Sequence, residues 1–262
     1  MAAAKDRCAL VSGAGSAAGI GFAAARILAG QGVRLAITST TRRIFERLAE
    51  LPGGADRHSA FVADLTAPGA AERLVADSRK ALGRIDILVN NAGMTQVGKR
   101  DYSSLFHRTS DAEWAEKIEM NLNTAFRVTR AVLPAMMRRR YGRIVHIASV
   151  TGPLVSNPHS AGYSAAKAAM VGMTRALAME VADKGITVNA VAPGWIATAS
   201  STKGEITAGK NSPTGRPGTA EEVGHVAAFL ASEVASYVNG QMIVVDGANS
   251  VQEYKGPPEG YY

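Results

Sequence analysis

Short apolar runs rich in β-branched residues alternate along this sequence with longer, alanine-rich segments of helical length. Six of the runs are apolar almost from end to end: CALVS, VRLAIT, DILVN, RIVHIA, ITVNAV and QMIVV. Strands of this kind are typical of a parallel sheet that helices cover on both faces, since a solvated sheet face would show alternating polar residues. The alternation therefore predicts an α/β fold with a doubly wound parallel sheet and helices on both faces.

The length of 262 residues suits one domain, because α/β chains of this size commonly fold as a single unit. We expect that domain to span residues 1–262. The segment 199–216 is polar and rich in Gly, Ser and Thr, which predicts a mobile substrate loop, and residues 249–262 are expected to form an irregular tail. Open sheets bind ligands at the carboxyl ends of their strands, so the residues after each apolar run are the candidates for a site.

The apolar stretches, the cysteine and histidine content and the net charge indicate which locations and partners to expect. The N-terminal sequence MAAAKDRCALVSG has no apolar stretch of signal-peptide length, and later apolar runs are interrupted by polar residues. We therefore expect no membrane partner and a cytoplasmic location. Cys8 is alone, and the five histidines show no metal-ligand spacing, so no metal site is predicted. The net charge of +7 would attract nucleic acid, acidic proteins or phosphorylated small molecules alike.

A glycine-rich segment follows the first apolar run. Residues 12–21 read SGAGSAAGIG, and a helical segment comes next. Glycines let the backbone approach a pyrophosphate closely, and a helix N-terminus supplies free N–H groups and a positive dipole end. This arrangement predicts a single Rossmann-type dinucleotide-binding sheet, although a tight structural turn could use the same residues. The candidate phosphate contacts are Gly13, Gly15, Ser16, Gly19 and Ile20.

The second apolar run bears on the type of dinucleotide. A carboxylate about twenty residues beyond the glycine segment would bind a free ribose 2′-hydroxyl. The chain instead offers hydroxyl and guanidinium groups there, namely Ser39, Thr40, Arg42 and Arg43. These groups suit a 2′-phosphate, so NADP(H) is the preferred cofactor and NAD(H) remains possible. The alternative is that both arginines are merely exposed on the next helix.

Ser149, Tyr163 and Lys167 form a possible catalytic group. Ser149 closes the run RIVHIA, and Tyr163 and Lys167 stand four residues apart at the start of a helical segment, on one face. An ammonium beside a phenol favours the phenolate and lowers its pKa, which makes the tyrosine a usable general acid and base. A serine hydroxyl nearby could hydrogen-bond a substrate carbonyl. The spacing alone is weak evidence, because about 0.24 such pairs are expected by chance in this composition.

Together these motifs resemble the short-chain dehydrogenase/reductase family from Ser12 to Asp246, nearly the whole chain. The other matching motifs are Asp64-Leu65, NNAG at 90–93, Asn121 in MNLNTAF, PGWIAT at 193–198 and VVDGA near the end. The general resemblance is to 3-oxoacyl-acyl-carrier-protein reductases. The joint occurrence of these motifs in family order is far more specific than any one of them.

The resemblance implies a role for each matching position. Tyr163 is implied as proton donor and acceptor, Lys167 as the group that lowers its pKa and holds the nicotinamide ribose, and Ser149 as the group that orients the carbonyl. Asn121 would anchor a water-linked proton relay to Lys167. Asp64 and Leu65 would bracket the adenine. The further implied cofactor contacts are Asn91, Ala92, Gly93, Tyr163, Lys167, Pro193, Gly194, Ile196 and Thr198.

Two features depart from the family pattern. Five residues separate Gly13 from Gly19, two more than in the family's TGxxxGxG loop, which leaves the phosphate contacts within 14–18 open. The basic residue often found in that loop of NADP-linked members is also absent, and this weighs against NADP(H).

The resemblance implies hydride transfer between NADP(H) and a ketone or secondary alcohol, with 3-oxoacyl thioester reduction as the leading hypothesis. The substrate would be a small molecule or carrier-bound, and a homotetramer is implied. One alternative is an NAD(P)-dependent catabolic dehydrogenase of a cyclic, aromatic or sugar alcohol, decided by residues 100–114 and 199–216. Another is a non-catalytic protein that binds cofactor or nucleic acid, although we expect no nucleic-acid partner.

Overall fold

The computed structural model describes residues 7–93 and 104–253. Seven strands form one sheet in the order β3-β2-β1-β4-β5-β6-β9, and all of its pairings are parallel. These strands are β1 Cys8–Val11, β2 Arg34–Ser39, β3 Ser59–Val62, β4 Ile87–Asn90, β5 Gly142–Ile147, β6 Ile186–Pro193 and β9 Met242–Val245. A separate two-stranded pairing joins β7 Ile196–Ala197 to β8 Gly218–Thr219. The predicted doubly wound parallel sheet is confirmed.

Helices cover both faces of the sheet. They are α1 Ile20–Gly30, α2 Ile44–Ala49, α3 Gly54–Arg57, α4 Ala70–Leu82, α5 Asp111–Ile118, α6 Thr124–Arg139, α7 Ala161–Val181, α8 Lys203–Lys210 and α9 Ala220–Leu230. A π-helical turn, Glu119–Asn123, connects α5 to α6 without a break. Short 3₁₀ turns occur at Phe106–Arg108, Ala182–Lys184 and Glu233–Ala235.

Side chains alternate between two cores along each central strand. In β5, Val145 packs into the core formed with α1 and α9, whereas Ile144 packs into the core formed with α4, α6 and α7. Both residues are almost fully buried. The strand is apolar on both faces because both faces lie under helices, as the sequence pattern predicts.

The strand order reverses between β1 and β4. From β1 the chain builds outward to β2 and β3 and then returns to β4 on the other side of β1. Loops at the carboxyl ends of β1 and β4 therefore diverge, and the crevice between them is where sheets of this type bind ligands. The predicted site residues follow the strands at this edge.

The polar segment 199–216 is not only a loop, as the sequence analysis expected. It contains helix α8, which starts in a capping box: the Thr202 hydroxyl accepts from the Glu205 N–H, and the Glu205 carboxylate accepts from the Thr202 N–H. Both bonds satisfy backbone groups at the helix start. The predicted tail is described only to residue 253, so residues 254–262 lie outside the described residues, as do residues 94–103.

Within the described ranges, no helix is long and apolar enough to cross a membrane. The same ranges contain no group of three or more His, Cys, Asp or Glu side chains that could hold a metal ion. Cys8 is buried in β1, as expected for a strand residue.

Candidate active site

The loop after β1 is tied to the end of β4. The Ser12 hydroxyl accepts hydrogen bonds from the backbone N–H groups of Asn91 and Ala92, both at 3.1 Å. The Asn91 amide in turn donates to the carbonyl oxygens of Ser12 at 3.2 Å and Gly13 at 2.9 Å. These bonds fix the two diverging loops relative to each other and so fix the floor of the crevice.

Glycine is required at several points of this floor. Gly13 has φ +70°, and a Cβ there would lie 2.8 Å from the Asn91 amide nitrogen. A Cβ on Gly21 would lie 2.4 Å from the same atom. Both separations are shorter than real Cβ contacts, so a side chain at either position would displace Asn91. The glycines here keep the backbone close to the neighbouring loop.

The lengthened part of the loop folds toward β2. The Ala14 N–H donates to the Thr38 carbonyl oxygen at 2.9 Å. Gly15 is buried against Ser39, whose Cβ would lie 2.6 Å from a Cβ on residue 15. The loop then closes on itself, since the Gly19 N–H donates to the Ser16 carbonyl oxygen at 3.1 Å. The structure thus places Gly15 and Ser39, two predicted cofactor contacts, side by side.

Helix α1 begins at Ile20 with Gly19 as its N-cap. No side chain caps this end, and its first turn contains no acidic residue. Its first N–H groups and positive dipole end are therefore available to an anion, and no carboxylate opposes one. Together with the close-packed glycines, this end fits a dinucleotide pyrophosphate.

The end of β2 presents hydroxyl and guanidinium groups at the surface. The Ser39 hydroxyl donates to the Thr41 carbonyl oxygen at 2.9 Å, and Thr40 is exposed. Arg42 and Arg43 are both exposed at the start of α2; Arg43 Nε donates to the Thr41 hydroxyl at 3.2 Å. In the part of the chain described, neither guanidinium pairs with a carboxylate, so both are available to an anionic ligand.

Asp64 and Leu65 follow β3 at the same edge. The Asp64 carboxylate accepts from the backbone N–H of Thr66 at 3.0 Å and from its hydroxyl at 2.6 Å. Leu65 is buried in the core beneath. Asp64 therefore organises a turn, and its place beside the crevice is compatible with the predicted contact to adenine.

Ser149, Tyr163 and Lys167, the predicted catalytic group, lie close together in the structure. Lys167, on α7, is buried, and its Nζ lies 5.7 Å from the centre of the Tyr163 ring and donates to the Ile147 carbonyl oxygen at 2.9 Å. Ser149 follows β5 and accepts from the Thr151 N–H at 3.0 Å. Two elements thus supply the group: the end of β5 brings the serine, and the first turns of α7 bring the tyrosine and the lysine.

Burial governs the protonation of this group. Burial raises the pKa of Tyr163 above its ordinary value, while a hydrogen bond with Ser149 acts in the opposite direction. Burial also lowers the pKa of Lys167 to about 8, because an ammonium is costly away from water. Without a ligand, the phenol is therefore protonated near neutral pH and the lysine is mostly charged.

Asn121 lies in the π-helical turn and is fully buried. Its Nδ2 donates to the Lys117 carbonyl oxygen at 3.1 Å. Its Oδ1 lies 3.0 Å from the position that a Cβ on Gly93 would take, so Gly93, with φ +152°, leaves room for it. The structure therefore brings Asn121 against the end of the NNAG segment.

The residues after β6 lie at the same edge. The Gly194 N–H donates to the Val245 carbonyl oxygen at 3.0 Å, and a Cβ on Gly194 would lie 2.5 Å from the Asp246 Cβ. Thr198 interacts with Ser201, whose hydroxyl accepts from the Thr198 N–H at 3.0 Å. Pro193 ends β6 and Ile196 begins β7, so the four predicted residues of this segment lie at or just after the carboxyl end of β6.

A buried polar cluster beside Lys167 was missed by the sequence analysis. Asn90 Nδ2 donates to the Thr129 hydroxyl at 2.8 Å and lies 3.1 Å from His146 Nδ1. Burial lowers the pKa of His146 to about 4, and the charge of Lys167 acts in the same direction. The signal was the polar residue in the apolar run RIVHIA, which marks a position with a specific partner.

Comparison with known proteins identifies the class that this fold and site define. A family model described as enoyl-(acyl carrier protein) reductase matches residues 13–248. The chain belongs to the short-chain dehydrogenase/reductase family and is an oxidoreductase of that family.

Two sequence relatives and two solved structures are similar to this chain over nearly its whole length. The chain is 39% identical over 247 residues to the 3-oxoacyl-[acyl-carrier-protein] reductase FabG of Escherichia coli, covering 93% of this chain and 97% of the relative. It is 43% identical to nodulation protein G of a Rhizobium species, covering 92% and 96%. Among solved structures, levodione reductase matches with a TM-score of 0.86 at 31% identity, covering 95% of this chain and 99% of the other. A gluconate dehydrogenase from Agrobacterium tumefaciens, described as putative, matches with a TM-score of 0.82 at 31% identity, covering 95% and 97%.

Proposed function

We propose that this protein reduces 3-oxoacyl thioesters to 3-hydroxyacyl thioesters with NADPH. The observation that carries the proposal is the position of Lys167, buried between the Tyr163 ring and the Ile147 carbonyl oxygen, at the edge of the sheet that also carries the glycine loop. A buried cation beside a phenol favours the phenolate and so assists proton transfer from the tyrosine to a carbonyl oxygen. The reduced nicotinamide, when bound, supplies the hydride.

The chain's own residues handle the proton. Tyr163 holds a proton near neutral pH because burial raises its pKa, so it donates that proton to the alkoxide oxygen as the carbonyl is reduced. The Lys167 ammonium then stabilises the phenolate that remains. Ser149 orients the carbonyl oxygen. Asn121 anchors the water-linked relay through which Lys167 recovers a proton.

Cofactor binding is assigned to the residues around the crevice. The uncapped end of α1 receives the pyrophosphate, as argued from Gly13, Gly19 and Ile20. Asp64 and Leu65 flank the adenine, Asn91 to Gly93 line the groove, and Pro193, Gly194, Ile196 and Thr198 surround the nicotinamide.

Preference for NADPH is assigned to Arg42 and Arg43, which are exposed and have no carboxylate partner among the described residues. Replacing both by alanine should weaken NADPH binding about tenfold or more and leave NADH binding unchanged, because one charge-assisted hydrogen bond contributes about 1.5–3 kcal/mol. The double variant Arg79→Ala/Arg138→Ala removes the same charge from exposed positions in the last turns of α4 and α6 and serves as the control. An unchanged NADPH-to-NADH ratio in the first variant would reject this assignment.

The substrate class rests on the E. coli relative, whose name describes reduction of a carrier-bound 3-oxoacyl group. The net charge of +7 is compatible with an acidic carrier. A second candidate, reduction of cyclic ketones or oxidation of a secondary alcohol of sugar acids, is favoured by the two structural matches to levodione reductase and gluconate dehydrogenase.

A single panel distinguishes the candidates. The purified protein is offered NADPH or NADH with 3-oxoacyl thioesters on carrier protein and on coenzyme A, with cyclic diketones, and with keto-sugar acids, and loss of reduced nicotinamide is followed by absorbance. The proposal expects the highest kcat/KM for a 3-oxoacyl thioester with NADPH. Turnover confined to cyclic ketones or sugar acids would replace it with the second candidate.

The homotetramer implied by the resemblance is also a proposal. Light scattering coupled to size exclusion tests it directly, and a mass of one or two chains would reject it.

A further inference from the structure

Helices α5 and α6 form one continuous helix through the π-helical turn that carries Asn121. In this turn the Thr124 N–H bonds to the Glu119 carbonyl oxygen, five residues back instead of four. The helix therefore holds one residue more than an α-helix of the same rise, and every later residue is shifted by one position around the axis. Turns of this kind are rare, so contacts elsewhere must favour this one over a straight α-helix.

The Glu119 carboxylate provides such contacts. Both of its oxygens bind the Arg127 guanidinium, with Nη2 donating to Oε2 at 3.0 Å and Nη1 donating to Oε1. Asn123 Nδ2 also donates to Oε2, at 2.8 Å. The hydrogen bond from Arg127 lowers the pKa of Glu119, although burial and the nearby Asp64 oppose this. Glu119, Asn123 and Arg127, called here the Glu119 brace, thus span the π turn from its first residue to beyond its last.

The spacing of the brace depends on the π turn. In a straight α-helix a separation of eight residues rotates a side chain by about 800°, which leaves the two side chains about 80° apart around the axis. With one residue absorbed by the π turn, the pair is positioned as residues seven apart would be, about 20° from alignment. The bidentate contact between Glu119 and Arg127 therefore matches the helix with the π turn and not the straight helix.

We propose that Glu119 and Arg127 are positioning residues that hold the π turn and thereby set Asn121 against Gly93 in the active site. In a straight helix Asn121 would rotate by up to about 100° relative to one of its flanking helices, and its Oδ1 would leave Gly93. The inference rests on the proposed function, because it assigns to the brace an effect on turnover through Asn121.

The test uses four variants of the full-length protein. Glu119→Gln and Arg127→Met each remove the ion pair, and the double variant Glu119→Arg/Arg127→Glu restores it with reversed charges. The control is Glu221→Gln, which breaks the exposed Arg26–Glu221 pair between α1 and α9. Each protein is measured for melting temperature, for NADPH affinity by fluorescence, and for kcat and KM.

The single variants should lose about tenfold or more in kcat with NADPH affinity unchanged, since a 1 Å displacement of a catalytic group can cost about 100-fold. The charge-reversed variant should recover most of that loss, and Glu221→Gln should behave like the unmodified protein. Wild-type kcat in both single variants, or a folded charge-reversed variant with no recovery, would overturn the proposal.

A structural readout separates this inference from the proposed function. A crystal structure of Arg127→Met should show residues 119–123 in α-helical hydrogen bonding, with Asn121 turned away from Gly93. If the π turn persists in that variant, the brace does not hold it, whatever the activity. If the unmodified protein reduces no ketone, the proposed function fails, and this structure still decides what holds the turn.

Discussion

Lys167 and Tyr163 face each other across 5.7 Å, measured from the ammonium nitrogen to the ring centre, while the same ammonium is hydrogen-bonded to the end of β5. The lysine is thus fixed by the strand that also leads to Ser149. The expected lowering of the Tyr163 pKa by Lys167 is not seen, because burial raises that pKa and the opposing cause is the hydrogen bond with Ser149. The first two predictions therefore treat the two side chains separately.

Tyr163→Phe should lower kcat by about 10²- to 10⁴-fold, the usual contribution of a general acid. The ring and its packing remain, so NADPH affinity and melting temperature should stay close to those of the unmodified protein. Steady-state kinetics and a fluorescence titration provide both values. A variant that binds NADPH and retains full turnover would remove Tyr163 from the mechanism.

The rate of ketone reduction should fall as pH rises above about 8. Burial lowers the pKa of Lys167 to about 8, so the ammonium is present below that pH and is lost above it, and an uncharged amine no longer stabilises the phenolate. Neither His146 nor Tyr163 interferes, because the pKa of His146 is lowered to about 4 and that of Tyr163 is raised above 10.0. A profile of kcat/KM that stays flat to about pH 10 would contradict the prediction.

Gly15→Ala should weaken cofactor binding about tenfold, because the added methyl group would sit 2.6 Å from the Ser39 Cβ and push the glycine loop outward. The double variant Gly15→Ala/Ser39→Gly removes the opposing atom, so it should bind the cofactor about as tightly as Ser39→Gly alone, which loses the same candidate contact. Gly30→Ala, where a Cβ would meet nothing within 4 Å, is the matched control. If Gly15→Ala weakens binding by the same factor in the Ser39→Gly background as in the unmodified protein, the contact does not position the loop.

The protein should lose stability as pH falls from about 6.5 to about 4 because His146 stays neutral in the fold. Its pKa is lowered to about 4 from the ordinary 6.5, so in this window only the unfolded chain takes up the proton. Integrated from pH about 6.5 to about 4, the free energy of unfolding falls by an amount on the order of 3 kcal/mol. His58 acts with the same sign, since burial lowers its pKa as well.

Urea unfolding at several pH values checks this prediction. His146→Asn should show a flatter decline in the free energy of unfolding between pH about 6.5 and 4 than the unmodified protein, whatever its stability at neutral pH. Identical slopes for the two proteins would mean that His146 is not the group responsible.

Much of this architecture could be predicted from the sequence because local pattern and global fold agree. The run RIVHIA gives a strand buried on both faces, and Ser149 follows it to the edge where ligands bind. Tyr163 and Lys167 share a helix face through their spacing alone. These features depend on periodicity, which a single sequence contains.

The remaining features depend on contacts between distant segments. Gly15 meets Ser39, and Asn90 meets His146, only after the strands have paired. The π turn depends on a contact within one helix, between Glu119 and Arg127, but their separation of eight residues fits no regular helix periodicity and so gives no signal in the sequence. Helix α8 is different, because Thr202 and Glu205 form a recognisable T-x-x-E pattern that the sequence analysis overlooked.

The strand order also determines when the ligand-binding edge can exist during folding. Strand β1 lies in the interior of the sheet, yet its partner β4 is far along the chain, with Ala9 opposite Ile87, and β6 pairs with β9, with Ala190 opposite Met242. Such distant pairings make folding slow, because the entropy of closing a long segment is lost before the contacts that compensate for it have formed. A nascent chain that ends before β4 leaves β1 as an unpaired apolar edge, open to association with other chains. The crevice is therefore completed only after β4 has joined β1 in the sheet.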